Sequence, residues 1–204
     1  MTTLNLIALA AALGWASGFR LYMVLFAVGL IGWFDLYPLP DGLALLQHPA
    51  VLCASGFMLL VEFFADKVPG GDSLWDAVHT FIRIPAGAAL AAGVMTDSGP
   101  AMTLVAGILG GTLAAGTHFT KAGSRAVINT SPEPFSNWGA SFFEDVLAVG
   151  GLWMAFVHPA VFLVLLAIAV VLMIWLLPKI WRTVMHMLRR IKAWFGTPPG
   201  RNSG

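Results

Sequence analysis

Charge is scarce in this sequence. Asp, Glu, Lys and Arg make up 10% of its 204 residues, against 58% hydrophobic residues, where a soluble domain carries about 25% charged residues. That shortage excludes an ordinary water-facing surface. Cysteine is scarcer still. Cys53 is the single one, which excludes a disulfide framework and a thiolate metal site. It lies in an apolar run and reads as a small buried hydrophobe. No Lys or Arg precedes Arg20. The apolar N-terminus therefore lacks the basic leader of a secretory signal peptide and reads as a first membrane segment. HExxH and G-x-S-x-G patterns are absent, which leans the reading away from an enzyme. Nothing in the sequence implies a cofactor or a nucleic-acid partner, and no run of ligands completes a metal site.

What remains is apolar length. Segments of about the 20 residues that span a bilayer fall at 5–34, 50–66, 73–95, 101–121, 137–157 and 159–178. They are separated by the turn-forming stretches "YPLPDG", "VPGGDS", "TDSGP", "TSPEPFSN" and "VHP". The expectation is an all-α polytopic membrane protein of about six transmembrane helices. The first segment, at about 45 Å if straight, is too long for one upright crossing. It either tilts or breaks at "GWASG", where Gly14 and Gly18 flank Ser17. Lys and Arg cluster after the even segments, at Lys67, Lys121, Arg125 and beyond Lys179, while Asp35, Asp41 and Asp97 occupy odd loops. The positive-inside rule then puts both termini in the cytoplasm. A re-entrant first segment would instead move the N-terminus outside.

The transmembrane domain is expected over 1–178. Residues 179–195 pattern Trp181, Val184, Met185 and Leu188 against Arg182, Arg189 and Arg190, as a basic amphipathic helix lying on an anionic leaflet does. The Pro/Gly-rich end, 196–204, reads as a disordered tail.

The scarce charges are concentrated. Glu62 and Asp66 share one helix face. Asp72, Asp76, His79 and Arg83 follow at steps of four, three and four, which makes one stripe of the next helix. Such a stripe must turn inward, because exposing it to lipid is too costly. Arg83 pairs there with Glu62 or Asp66, and Arg83→Gln is expected to leave a folded, inactive protein. A second hairpin carries His118, Lys121, Arg125, Glu144 and Asp145. It matches the first loosely, with Lys67 opposite Lys121 and Trp75 opposite Trp138, as two related cytoplasmic hairpins of an internal repeat. Ser73 with Asp76, and Ser141 with Glu144, have capping-box spacing, so these acids serve either as caps or as site groups. Small residues in "GILGGTLAAG" and "AGAALAAG" suit close helix contacts, within one chain or in a homo-oligomer.

The stretches "ASGFRLY", "EFFADKVPGGDSLWDAVHTFIRIPAGA", "TKAGSRAVINTSPEPFSNW" and "SFFED" resemble a group of small bacterial multi-pass membrane proteins catalogued as a domain of unknown function. The resemblance implies a bacterial inner-membrane location and no established activity. The substrate or ion site is expected to draw on Arg20, Glu62, Asp66, Lys67, Asp76, His79, Arg83, His118, Lys121, Arg125, Glu144 and Asp145. A transporter or channel for a small ion or anionic solute is the first reading. The second is a protein that binds lipid phosphate at the cytoplasmic leaflet, through "KAGSR". A membrane scaffold subunit is the third.

Overall fold

A computed structural model describes residues 1–68, 71–130 and 134–195. Its six α-helices are α1 (Thr3–Trp33), α2 (Pro49–Ala65), α3 (Gly71–Val94), α4 (Pro100–Ile128), α5 (Pro134–Val157) and α6 (Pro159–Phe195), with short 3-10 turns at Asp41–Gln47 and Thr96–Ser98. No strand occurs among the described residues. Prolines open α2, α4, α5 and α6, the position where a missing N–H costs nothing and a fixed φ favours the helix. Gly99, at φ +93°, makes the turn into α4. Five helices are long and apolar enough to cross a membrane, and α2 joins them as a sixth if counted with the 3-10 turn before it, to which it is bent by 70°. The chain is an all-α polytopic membrane protein.

The first helix does not run straight. Arg20, at φ −143° and ψ 73°, interrupts it and separates helices at 3–19 and 21–33. A straight helix would hold Asn5 and Trp33 about 42 Å apart. Yet the Asn5 amide donates to the Tyr37 hydroxyl at 3.4 Å, and four residues of chain cannot return that distance. Met1 and Leu6 share a cavity with Pro40, Asp41, Val94 and Asp97. Gly29 and Gly32 pack on Leu46 and Gln47, and Gly42 packs on Gly93. Both arms of α1 thus end at the face where α3 ends and α4 begins. The tip, Arg20, lies at the opposite end of the bundle, beside the end of α2. The first segment is a re-entrant hairpin.

Gly14 and Gly18, expected as the weak point, lie within the first arm and serve its packing. A Cβ on Gly14 would meet the Gly110 backbone at 2.6 Å, and one on Gly18 would meet the Ala114 carbonyl at 2.5 Å. Close backbone approach of this kind is how membrane helices associate. The Gly110 and Gly87 sites, next to Ala91 and Ala114, extend the seam through α3 and α4. These small residues act within the chain.

Because α1 folds back, the helices that run from one face of the bundle to the other are α2 to α6. α6 runs beside α4 in the same direction, with Met173 on Gly116 and Ile180 on Gly123. The two ends of the described chain therefore lie at opposite faces, and the expectation that both termini share one side is corrected. The physical reason is the break at Arg20, which adds a turn that a count of apolar segments does not register. Cysteines placed at Thr2 and Arg182 in a Cys53→Ser background should react with an impermeant maleimide from opposite sides of sealed vesicles. Labelling of both from one side would refute the hairpin.

One further expectation changes. Cys53 is exposed on the outer surface of α2 rather than buried. Residues 179–195 are helical, and α6 passes through Pro178 into them without interruption. Residues 196–204 lie outside the described residues.

Candidate functional site

The polar stripe of α3 turns inward. Asp72, Asp76, His79 and Arg83 are buried, while Leu74, Val78, Phe81 and Ile82 face outward. Arg83 is fully buried and bridges two carboxylates, Glu62 at 2.5 Å and Asp76 at 2.8 Å. Lys121 of α4 lies 3.0 Å from Asp66, and 3.5 Å from both Asp76 and Glu144. Arg125, a turn further on, holds Glu144 with two parallel bonds of 3.0 and 2.9 Å, the strong fork geometry of a guanidinium on a carboxylate. At the hairpin tip, Arg20 pairs with Asp66, with Asp145 at 2.7 Å and with the Ser141 hydroxyl at 2.8 Å. The break also leaves helix-end carbonyls in want of donors. The Phe19 carbonyl takes one from Lys121 at 3.2 Å.

One connected network therefore joins all five helices from α1 to α5. Among the described residues it unites four basic side chains, Arg20, Arg83, Lys121 and Arg125, with six carboxylates, Glu62, Asp66, Asp72, Asp76, Glu144 and Asp145. Carboxylates exceed cations by two. Asp145 is its edge, with about a third of its side chain exposed, whereas Glu62, Asp66 and Arg83 are sealed. Glu62 Oε2, Asp66 Oδ1 and Asp76 Oδ2 are buried without a hydrogen-bond donor. Buried carboxylate oxygens in that state are costly.

Two histidines flank the network. The ring of His79 stacks on Trp75 with centroids 3.9 Å apart. Its Nδ1–H donates to the Trp75 carbonyl at 2.9 Å, which leaves Nε2 to accept from the Tyr22 hydroxyl at 3.1 Å. His118 Nδ1 faces Arg83 at 3.4 Å and accepts, since an arginine only donates. Its Nε2–H then donates to Thr80 at 2.7 Å, and Thr80 donates to the Asp76 carbonyl at 2.9 Å. Both rings have the bonding of neutral imidazoles.

The structure gathers all but one of the residues singled out in the sequence. Lys67 forms no ion pair among the described residues. Its ammonium lies over the Phe63 ring, 3.0 Å from the centroid. Partial burial, chiefly, and the Arg20 charge draw its pKa below the ordinary lysine value. The capping-box readings are also corrected. Asp76 and Glu144 pair with cations, and α5 begins at Pro134, seven residues ahead of Ser141. The two hairpins share a face and touch, since Asn129 donates to Asp72 at 2.8 Å and Trp138 to the Lys67 carbonyl at 3.3 Å. Their matched residues differ in setting, however. Lys121 is buried and Lys67 is at the rim, and Trp138 is exposed where Trp75 is half-buried.

Sequence reasoning missed Tyr22, Thr80, Asn129 and Asn137. Asn137, fully buried, accepts from Arg125 through its carbonyl at 2.8 Å and donates to Asn129 at 2.7 Å. A signal for it existed, because Asn137, Ser141 and Glu144 form a stripe on α5. Tyr22 had none, since its approach to His79 depends on the break at Arg20.

Two cavities open on the bundle away from the network. One of about 1000 Å³, between α3 and α4, is lined by Ala88, Ala92, Leu104 and Ile108, and one of about 500 Å³ lies between Trp15 and α5–α6. Neither is lined by a residue of the network. Among the described residues, no group of three or more His, Cys, Asp or Glu is arranged to hold a metal ion.

Compared with family models, residues 7–179 match one described as a domain of unknown function (DUF4126). No curated protein and no solved structure matches the chain.

Proposed function

We propose that this chain, which belongs to the DUF4126 family of unknown function, is a small-ion transporter or channel whose internal site is the buried charge network. One observation carries the reading: a sealed, net-negative cluster set at the tip of a broken helix. Charged groups within a membrane domain are costly and commonly mark ion pathways. Broken helices that end at such groups recur in transporters. The sign of the excess favours a cation over an anion. Every basic side chain of the cluster already faces a carboxylate, so an anionic solute would have to displace an existing partner. The same point weakens the lipid-phosphate reading, because Arg125 of "KAGSR" is buried within α4 and held by Glu144.

The network face is assigned to the cytoplasm of a bacterial plasma membrane. Lys67, Lys121, Arg125 and the basic end of α6 support this by the positive-inside rule, and Asp35, Asp41 and Asp97 lie toward the other face. The N-terminus is then external and the C-terminus cytoplasmic. Purified protein in liposomes should carry a cation current above that of protein-free vesicles. Cation flux indistinguishable from empty vesicles, for protons, sodium and potassium alike, would defeat the reading. Chloride flux alone would reverse the assigned sign.

A further inference from the structure

We infer that the cation is the proton, and that Glu62 is the group that carries it. This rests on the ion-transport reading and specifies its site. Glu62 is fully buried. Among the described residues its one ion-pair partner is Arg83, which is shared with Asp76. Asp66 and Asp76, by contrast, each face two cations, and Glu144 faces Lys121 and both arms of Arg125. Asp72 is held by Asn129 and the Ser73 amide at 2.6 Å, and Asp145 reaches solvent. Of the buried carboxylates Glu62 thus has the least compensation, and its Oε2, like Asp66 Oδ1 and Asp76 Oδ2, has no donor. An oxygen in that position is satisfied most simply by becoming the donor.

The alternatives fit less well. A sodium or potassium ion needs several oxygen ligands at once, and among the described residues no group of three or more His, Cys, Asp or Glu is arranged to hold a metal ion. A proton needs only the oxygen. Around Glu62 lie Arg20 and Tyr22 from α1, Asp66 on its own helix, Asp76 and Arg83 from α3, and Lys121 from α4. Beyond Arg83, neutral His118 and His79 supply further ring nitrogens toward Tyr22. Protonation forms one O–H bond on Glu62, with the proton drawn from water on one side and returned to water on the other. It removes one of the two excess negative charges and loosens the hold of Glu62 on Arg83. Arg83 then remains held by Asp76 and His118.

Infrared spectroscopy of the purified protein reads this directly. At neutral pH the wild type should show the carbonyl band of a protonated carboxyl that shifts in heavy water. Glu62→Gln should lose that band, and Asp97→Asn, at the far face, should keep it. If Glu62→Gln does not fold, Glu62→Asp decides, since the band must move when its own side chain is shortened. A spectrum with every carboxylate ionised, or a band that Glu62 variants leave unmoved, overturns the assignment. The readout needs no transport. A protonated Glu62 without any flux would support the site and count against the transport reading. Sodium flux without a protonated carboxyl would do the reverse.

Discussion

Arg83→Gln should cost about 3–5 kcal/mol of stability, the usual consequence of removing one partner from a buried ion pair. Glutamine keeps hydrogen-bonding capacity but not the charge. Its loss leaves the buried Asp76, 2.8 Å from Arg83, with only Lys121 at 3.5 Å as an ion-pair partner among the described residues. The earlier expectation of a folded but inactive variant therefore gives way to a destabilised one. Its melting temperature in detergent should fall well below that of the wild type. Adding Asp76→Asn should restore part of the loss, because the double variant removes both charges of that pair. A double variant no more stable than Arg83→Gln alone would show that Arg83 acts on the fold by packing rather than by charge.

Gly14→Leu should be as severe for a different reason. The added side chain points at the Gly110 backbone, where even a Cβ would lie 2.6 Å from Cα. Overpacking a core typically costs about 1–3 kcal/mol where side chains can shift. Here the obstacle is main chain, so the effect should reach or exceed the upper end. The first arm of α1 would be pushed from α4, and the bond from Thr117 to the Trp15 carbonyl, 2.9 Å long, would be strained with it. Gly139→Leu, where nothing lies within 4 Å of the Cβ position, is the control and should melt with the wild type. Equal melting temperatures for Gly14→Leu and Gly139→Leu would contradict the packing of the hairpin.

The sequence was most informative where one physical rule acted alone. A charge in an apolar helix must find a partner, so the inward turn of Asp76, His79 and Arg83 followed from their spacing. Breaks at proline and glycine placed the helix starts closely. The single segment 5–34 hid the hairpin because hydropathy records length and composition, and a helix that turns back is as apolar as one that crosses. Arg20 is the residue at the turn, and nothing in "ASGFRLY" marks it as the break rather than Gly14 or Gly18. The partners of Arg20 were likewise unreadable, because Asp66, Ser141 and Asp145 meet it only through the tertiary path of the hairpin. Lys67 was included on charge alone. Its ammonium lies at the rim over the Phe63 ring and forms no ion pair among the described residues.

The most direct test compares proton entry into liposomes that hold equal amounts of monodisperse wild type or Glu62→Gln, under an inward pH gradient with the membrane potential clamped by potassium and valinomycin. The wild type should acidify the lumen faster than protein-free vesicles, and Glu62→Gln should match the empty vesicles while its melting transition is retained. Acidification equal in the wild type and in folded Glu62→Gln would contradict the account.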